Sequence, residues 1–109
     1  MKFCLLINPA HHWQACLHEA LALASTMDQQ GQTVHSVFFY GSSVLLSTDS
    51  QWLECWQSIQ NTHQTRLMIC RTMLDHHDQE PPDSPAFEVV GMASLASAME
   101  QADRIVELT

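Results

Sequence analysis

Short, continuous runs of apolar residues alternate along this chain with longer segments in which apolar residues recur every three or four positions. Continuous runs are typical of strands covered on both faces, and the wider spacing is typical of amphipathic helices. The predicted strands are residues 3–7, 33–40, 67–69, 87–90 and 104–108. The predicted helices are residues 11–30, about 50–61, a short run beginning at Arg71, and about 92–102.

Prolines, glycines and polar clusters separate these segments. Pro9 ends the first strand, because the residue before a proline disfavours helix and the proline itself offers no ladder donor. Residues 44–50 are predicted to be a loop, with at most a turn of helix, and Asp49 is one of the candidate N-caps of the following helix. Residues 75–85 are polar, acidic and rich in proline, which predicts an exposed loop.

Strands that alternate with helices indicate βαβ units joined by right-handed crossovers. We therefore predict an α/β fold, a three-layer α/β/α sandwich with a mostly parallel sheet of about five strands. Residues 1–109 form one domain in this interpretation, since the length suits a single core. The pattern alone does not determine the order of the strands.

Composition and charge exclude several classes of function. Hydrophobic residues make up 46% of the chain and charged residues only 15%, which predicts a folded domain. Four Lys plus Arg against twelve Asp plus Glu give a net charge of −8, so direct binding to nucleic acid or to an anionic membrane is not expected. No segment approaches the roughly 20 apolar residues that span a bilayer, and residues 1–7 read as a strand rather than a signal peptide. We expect a cytoplasmic protein.

The four cysteines do not form a CxxC pair, which argues against a zinc site or a dithiol. Cys4, Cys16 and Cys55 fall on apolar faces of predicted elements, where cysteine packs as a small hydrophobic residue. Cys70 differs in its position. It follows a buried strand directly and precedes Arg71 at a predicted helix start, so that the arginine and the helix-start amides favour the thiolate.

Other chemistries find little support in the sequence. With three glycines in the chain and no glycine-rich turn after the first strand, nucleotide or flavin binding is not indicated, and no cofactor is expected. A metal site that combines His11 or His12 with His76 or His77 is conceivable, but surface histidines are the commoner explanation, and no metal is expected. No G-x-S-x-G elbow occurs, and no signal selects His76 or His77 as a partner for Cys70.

Charge alone does little for a thiol. Lowering its pKa from about 8.5 to about 6.5 raises the thiolate fraction at pH 7 about 25-fold. The same change makes each thiolate about 6- to 10-fold less nucleophilic, so the net gain is only about 3-fold. Most of the reactivity of such a thiol therefore has to come from access to a partner's sulfur. A buried, inert Cys70 stays an open alternative.

Three segments resemble the DsrE/TusD family of small sulfur-relay proteins. The segment Thr-Val-His-Ser-Val-Phe-Phe-Tyr at 33–40 is similar to the family's second strand, Leu-Met-Ile-Cys at 67–70 to its third strand with the sulfur-carrying cysteine, and 87–106 to its closing strand-helix-strand. The chain departs from the family in its Asn8-Pro9 turn, in its shorter segments at 42–50 and 75–85, and in lacking a glycine after Cys70.

The resemblance implies a sulfurtransferase in which Cys70, if exposed, accepts a persulfide and passes it to a protein thiol, with Arg71 as an electrostatic helper. The pathway would be TusD-like, towards 2-thiouridine in tRNA, or DsrE-like, in sulfur oxidation. Partners would be homologous small subunits and sulfur donor and acceptor proteins, usually in an oligomer. Trp13, Leu45 and Leu46 then become candidate interface residues. The alternative is a non-catalytic DsrE-like subunit that serves oligomer assembly or binds a small ligand or metal.

Overall fold

The computed structural model describes residues 1–109 and contains five strands, four α-helices and one 3-10 helix. Every strand and helix predicted from the sequence is present. In chain order the elements are β1 (Lys2–Ile7), α1 (Trp13–Gln29), β2 (Thr33–Phe39), the 3-10 helix (Gly41–Thr48), α2 (Ser50–His63), β3 (Arg66–Cys70), α3 (Arg71–His76), β4 (Phe87–Val90), α4 (Met92–Gln101) and β5 (Arg104–Leu108).

All five strands are parallel and lie in the order β4-β3-β2-β1-β5. Strands β1 to β4 therefore follow one another across the sheet, and β5 returns to pair with the other edge of β1. Helices flank the sheet on both faces, which confirms the predicted three-layer α/β/α architecture. No helix of the chain has the length and apolar character that crossing a membrane requires.

Side chains alternate between the two faces of each strand, and the faces build two separate apolar clusters. The larger cluster joins the sheet to α1, α2, α3 and the 3-10 helix, with Leu5, Phe39 and Ile69 among its strand residues. The smaller cluster, called the α4-side cluster below, lies on the opposite face and is covered mainly by α4, with Met73 of α3 packed at its margin. Its members are Cys4, Phe38, Met68, Cys70, Leu95 and Ala98.

Helix α2 begins at Asp49, one of the N-cap candidates in the sequence. The Asp49 carboxylate accepts hydrogen bonds from the backbone amides of Gln51 and Trp52, at 3.1 and 3.4 Å. These amides have no partner inside the helix, so the carboxylate satisfies donors that would otherwise face solvent or stay unpaired.

The turn after β2 depends on a glycine. Gly41 has a φ of +59°, and a Cβ atom at this position would lie 2.6 Å from Oδ1 of Asn8. Only glycine adopts this left-handed conformation at no steric cost and leaves room for the neighbouring side chain. The close approach holds the start of the 3-10 helix against the end of β1.

Three predictions at this level are wrong. The segment predicted as a loop at 44–50 lies mostly in the 3-10 helix, because Val44 and Leu46 are completely buried and wind the chain against the core. Leu46 is consequently core rather than interface, while Trp13 and Leu45 are partly exposed. Cys55 is exposed instead of packed.

The helical geometry of α2 explains the exposure of Cys55. The buried positions of this helix are Trp52, Trp56 and Ile59, which follow one another at intervals of four and three residues. At 3.6 residues per turn, Cys55 lies at the edge of this stripe rather than within it.

Candidate functional site

Cys70 occupies the position that the sequence predicts, at the carboxyl end of β3 and immediately before α3. Its backbone is extended, with φ −72° and ψ 119°, and it pairs in register with Val90 of β4. In a parallel sheet the carboxyl ends of the strands meet at one edge, where ligands and reactive groups collect. The fold therefore places a thiol at this edge.

The thiol of Cys70 is completely buried, with 0% of the residue exposed. It lies in the α4-side cluster, with Met73 and Val90 partly buried at the margin of that cluster. The sulfurtransferase expectation required an exposed Cys70, and this conformation does not provide one. Reaction at Cys70 with a partner's sulfur thus needs a movement of the elements that cover it.

Arg71 is the first residue of α3 and is exposed to solvent. The two ion pairs of the structure involve other residues, His63 with Asp28 and Arg66 with Glu88. The Arg71 guanidinium consequently has no carboxylate partner in the structure. The structure places Arg71 next to Cys70 in the chain, but one side chain is exposed and the other is buried.

Two of the remaining cysteines are poor nucleophiles. Burial raises the pKa of the Cys4 thiol above its usual value, and a hydrogen bond with Ser36 opposes this only in part. Burial also raises the pKa of the Cys16 thiol, and the negative charge of Glu19 adds to the effect. Both thiols are therefore held in the neutral form, as expected for cysteines that serve as packing residues.

Cys55 is the one exposed cysteine, and sequence reasoning did not find it. It lies in an open groove of about 380 Å³ between α1 and α2. In the same groove, the imidazole ring of His18 stands edge-on to the indole of Trp52, with ring centroids 4.6 Å apart. The signal available in the sequence was the offset of Cys55 from the apolar stripe of α2.

The histidine pairs do not form a metal cluster. No group of three or more His, Cys, Asp or Glu side chains is close enough to hold a metal ion. His76 and His77 pack their rings against each other, with centroids 5.1 Å apart, at the end of α3. The two pairs of histidines thus offer no three-ligand set for the metal-binding alternative.

The model of the DsrE/DsrF-like family matches residues 1–108 of the chain. Among similar proteins, a sulfurtransferase TusD homolog of Vibrio vulnificus strain CMCP6 is 25% identical, with 98% of this chain and 97% of the relative covered. The sulfurtransferase TusD of Cronobacter sakazakii is 28% identical, with 98% of this chain and 99% of the relative covered. That alignment spans 128 positions against 109 residues here, so the relative carries residues that this chain lacks.

Solved structures agree on the fold. A protein of unknown function from Methanobacterium thermoautotrophicum, MTH1491, superposes with a TM-score of 0.76 at 12% identity, over 97% of both chains. The ychN protein of E. coli superposes with a TM-score of 0.66 at 15% identity, over 99% of this chain and 100% of the other. At these identities the likeness concerns the arrangement of strands and helices.

Proposed function

Because the chain belongs to the DsrE/DsrF-like family, we propose that it is a sulfur-relay protein that carries a persulfide on Cys70. The observation that carries the proposal is the position of Cys70 at the carboxyl end of β3, in a chain whose relatives are named sulfurtransferases and match over 98% of its length. The prediction from the residues and the prediction from the family therefore name the same cysteine.

The proposed reaction is a pair of thiol exchanges. The Cys70 thiolate attacks the terminal sulfur of a donor persulfide, R–S–SH, which forms the new S–S bond of a Cys70 persulfide and breaks the donor's S–S bond. The donor leaves as the thiolate R–S⁻, so sulfur, protons and charge balance and no external oxidant is needed. A thiolate of the acceptor protein then attacks the terminal sulfur in the same way and returns Cys70 to its thiolate.

Arg71 would assist as an electrostatic helper rather than as a nucleophile. Its exposed guanidinium lies beside Cys70 in the chain and has no carboxylate partner in the structure. A planar guanidinium with free donors suits a carboxylate or another anionic group on the incoming protein. We expect Arg71→Ala to slow sulfur transfer from a protein donor more than transfer from a small neutral donor.

The partners we propose are donor and acceptor proteins of a sulfur relay, together with homologous small subunits in an oligomer. The TusD names of the relatives favour a route towards 2-thiouridine in tRNA over sulfur oxidation. A net charge of −8 suits a protein that hands sulfur to another protein and does not bind RNA itself. All four cysteines are unpaired, which is consistent with the reducing cytoplasm we propose as its location.

A second candidate function is a non-catalytic subunit of the same family, and the complete burial of Cys70 favours it. In that case Cys70 is a packing residue between the sheet and α4, and the chain contributes a surface to an oligomer. The two functions predict opposite results for sulfur loading.

Sulfur loading with a low-molecular-weight persulfide, followed by intact mass spectrometry and peptide mapping, decides between them. The sulfur-relay proposal predicts one added sulfur atom on the wild-type protein, lost in Cys70→Ala and kept in Cys55→Ser. Alanine is the better replacement, because the hydroxyl of Cys70→Ser would be buried without a certain partner at a cost of about 1–3 kcal/mol.

Two outcomes would contradict the proposal. An adduct that persists in Cys70→Ala but disappears in Cys55→Ser would assign the sulfur to the exposed thiol of α2. A folded wild-type protein that takes up no sulfur would leave the non-catalytic subunit as the better description.

A further inference from the structure

A persulfide on Cys70 has no room in the closed conformation. The residue is 0% exposed, and neither surface cavity of the molecule includes it in its lining. A second sulfur atom adds the volume of a large atom to a packed interior, which tolerates little extra volume. An element that covers Cys70 must therefore move before the thiol can exchange sulfur.

The composition of the α4-side cluster identifies that element. Four of its six residues belong to β1, β2 and β3, which have hydrogen-bonded neighbours on both sides. The other two, Leu95 and Ala98, are the only buried residues of α4. Helix α3 adds only the partly buried Met73 to this face, and its buried residue Leu74 is anchored in the larger cluster. The main cover of this face is consequently α4.

Few contacts hold α4 against the sheet, since only two of its residues are buried and its N-cap makes no side-chain hydrogen bond. Its N-cap is Gly91, which has no side chain to bond the first amides, and most of its outer residues are exposed. The helix starts two residues after Val90, which pairs with Cys70 in the sheet. After the helix, the chain returns to the start of β1, where the Asp103 amide donates a hydrogen bond to the Lys2 carbonyl. Helix α4 thus runs from the edge that holds Cys70 to the opposite edge, across β1 and β2.

We propose that α4 is a movable cover, and that its displacement from the sheet exposes Cys70 and Cys4 together while the larger cluster stays folded. The purpose of the opening rests on the proposed function, but the opening itself does not. Small elements with few buried residues open at lower free energy than the whole molecule. Closure would shield the thiol from unwanted oxidants, and opening would make it available to a protein partner.

The test is alkylation of the native protein with iodoacetamide, with the rate at each cysteine followed by peptide mass spectrometry. Cys55 is exposed and serves as the reference for an open thiol, and Cys16 in α1 reports on the opposite face. We expect Cys70 and Cys4 to react faster than Cys16 in the wild-type protein. Their rates should depend only weakly on low urea concentrations, since local opening exposes little surface.

Two matched core truncations separate local from global opening. Leu95→Ala weakens the contact of α4 with the sheet and should raise the alkylation rates of Cys4 and Cys70 about 30-fold or more. Leu17→Ala removes the same atoms from α1, in the larger cluster. It should accelerate Cys16 and leave Cys4 and Cys70 unchanged, because their opening does not expose position 17.

Each alternative gives a different pattern. If Leu17→Ala accelerates all three cysteines alike, exposure occurs by unfolding of the whole chain and the cover does not exist. If Cys70 reacts faster than Cys16 but Leu95→Ala leaves its rate unchanged, a movement of α3, which contacts this face through Met73, uncovers the thiol and the proposal is overturned. If either variant does not fold, the urea dependence in the wild-type protein decides, and equal steep dependence at Cys4, Cys16 and Cys70 overturns the proposal.

No sulfur donor takes part in this experiment, so its failure is distinguishable from failure of the proposed function. If α4 opens as described but the protein takes up no sulfur, the movable cover is supported and the sulfur-relay function is contradicted. If Cys70 takes up sulfur without this alkylation pattern, the sulfur-relay function is supported and the movable cover is contradicted.

Discussion

Replacing Gly41 with alanine tests whether the turn after β2 is built on a close contact with Asn8. The left-handed conformation at φ +59° costs a residue with a side chain about 1–2 kcal/mol. The new Cβ would meet Oδ1 of Asn8 at 2.6 Å, which forces that side chain away from its position at a further cost of about 0.5–1.5 kcal/mol. We expect Gly41→Ala to lower the free energy of unfolding by about 2–3 kcal/mol.

The other two glycines supply matched controls. Gly31 also has a positive φ, +76°, but an added Cβ there would meet nothing within 4 Å. Gly31→Ala should therefore show only the conformational cost of about 1–2 kcal/mol. Gly91 has a φ of −95° and equally open space, so Gly91→Ala should change the free energy of unfolding by no more than about 0.5 kcal/mol.

Urea unfolding followed by tryptophan fluorescence measures these differences, since Trp56 is completely buried in the native protein. A double variant isolates the contact. Asn8→Ala in the Gly41→Ala background should recover the part of the loss that comes from the displaced side chain. Equal losses for Gly41→Ala and Gly31→Ala, with no recovery on changing Asn8, would refute the role assigned to the contact.

Two further predictions concern the start of α2 and the buried thiols. Asp49→Ala removes the acceptor of the Gln51 and Trp52 amides and should lower the free energy of unfolding by about 1 kcal/mol in urea titrations. Asp49→Asn keeps an acceptor oxygen and should lower it much less. Equal losses for the two variants would argue against the cap. Burial raises the pKa of Cys4 and Cys16 above the ordinary value of a cysteine thiol, so the native state holds these protons more tightly than the unfolded state. The stability from this difference is fully present below the ordinary pKa and is lost as the pH rises through the native pKa. Urea titrations below and above the ordinary pKa should therefore show a fall in the free energy of unfolding, and Cys4→Ala should make this fall smaller.

Much of the fold was predictable because parallel strands leave a strong signal. Runs such as 3–7 and 67–69 are apolar at every position, since both faces of the sheet are covered, and this pattern is typical of strands in a parallel sheet. The alternation of strands with helical spacing then implies parallel pairing through right-handed crossovers. The sequence does not predict that β5 pairs with β1. Neighbouring strands are joined by backbone hydrogen bonds, which do not depend on the side chains that a sequence pattern records.

The errors fall in two segments whose own sequence pattern does not show which residues are buried. The buried residues of the 3-10 helix at Gly41–Thr48 recur at intervals of three, Ser43 with Leu46 and Val44 with Ser47, and two of the four are serines, so no apolar stripe marks this helix in the sequence. Cys55 lies a fraction of a turn away from the buried stripe of α2, a difference smaller than the angular width of an apolar face. Both segments are decided by tertiary packing rather than by their own sequence pattern.

The site shows the same division between what a pattern specifies and what packing adds. The position of Cys70 follows from the strand that ends there, and alternation along the strand places its thiol on the same face as Met68 and opposite to Ile69. Whether that face is open depends on α4, which lies more than twenty residues further along the chain and reaches the thiol only because the crossover from β4 to β5 passes over it. A local argument from charge at the helix start could not have found this cover. Since charge contributes only about 3-fold to thiol reactivity, exposure is the larger variable, and the residues that cover this face are Leu95 and Ala98 of α4, with Met73 of α3 at the margin.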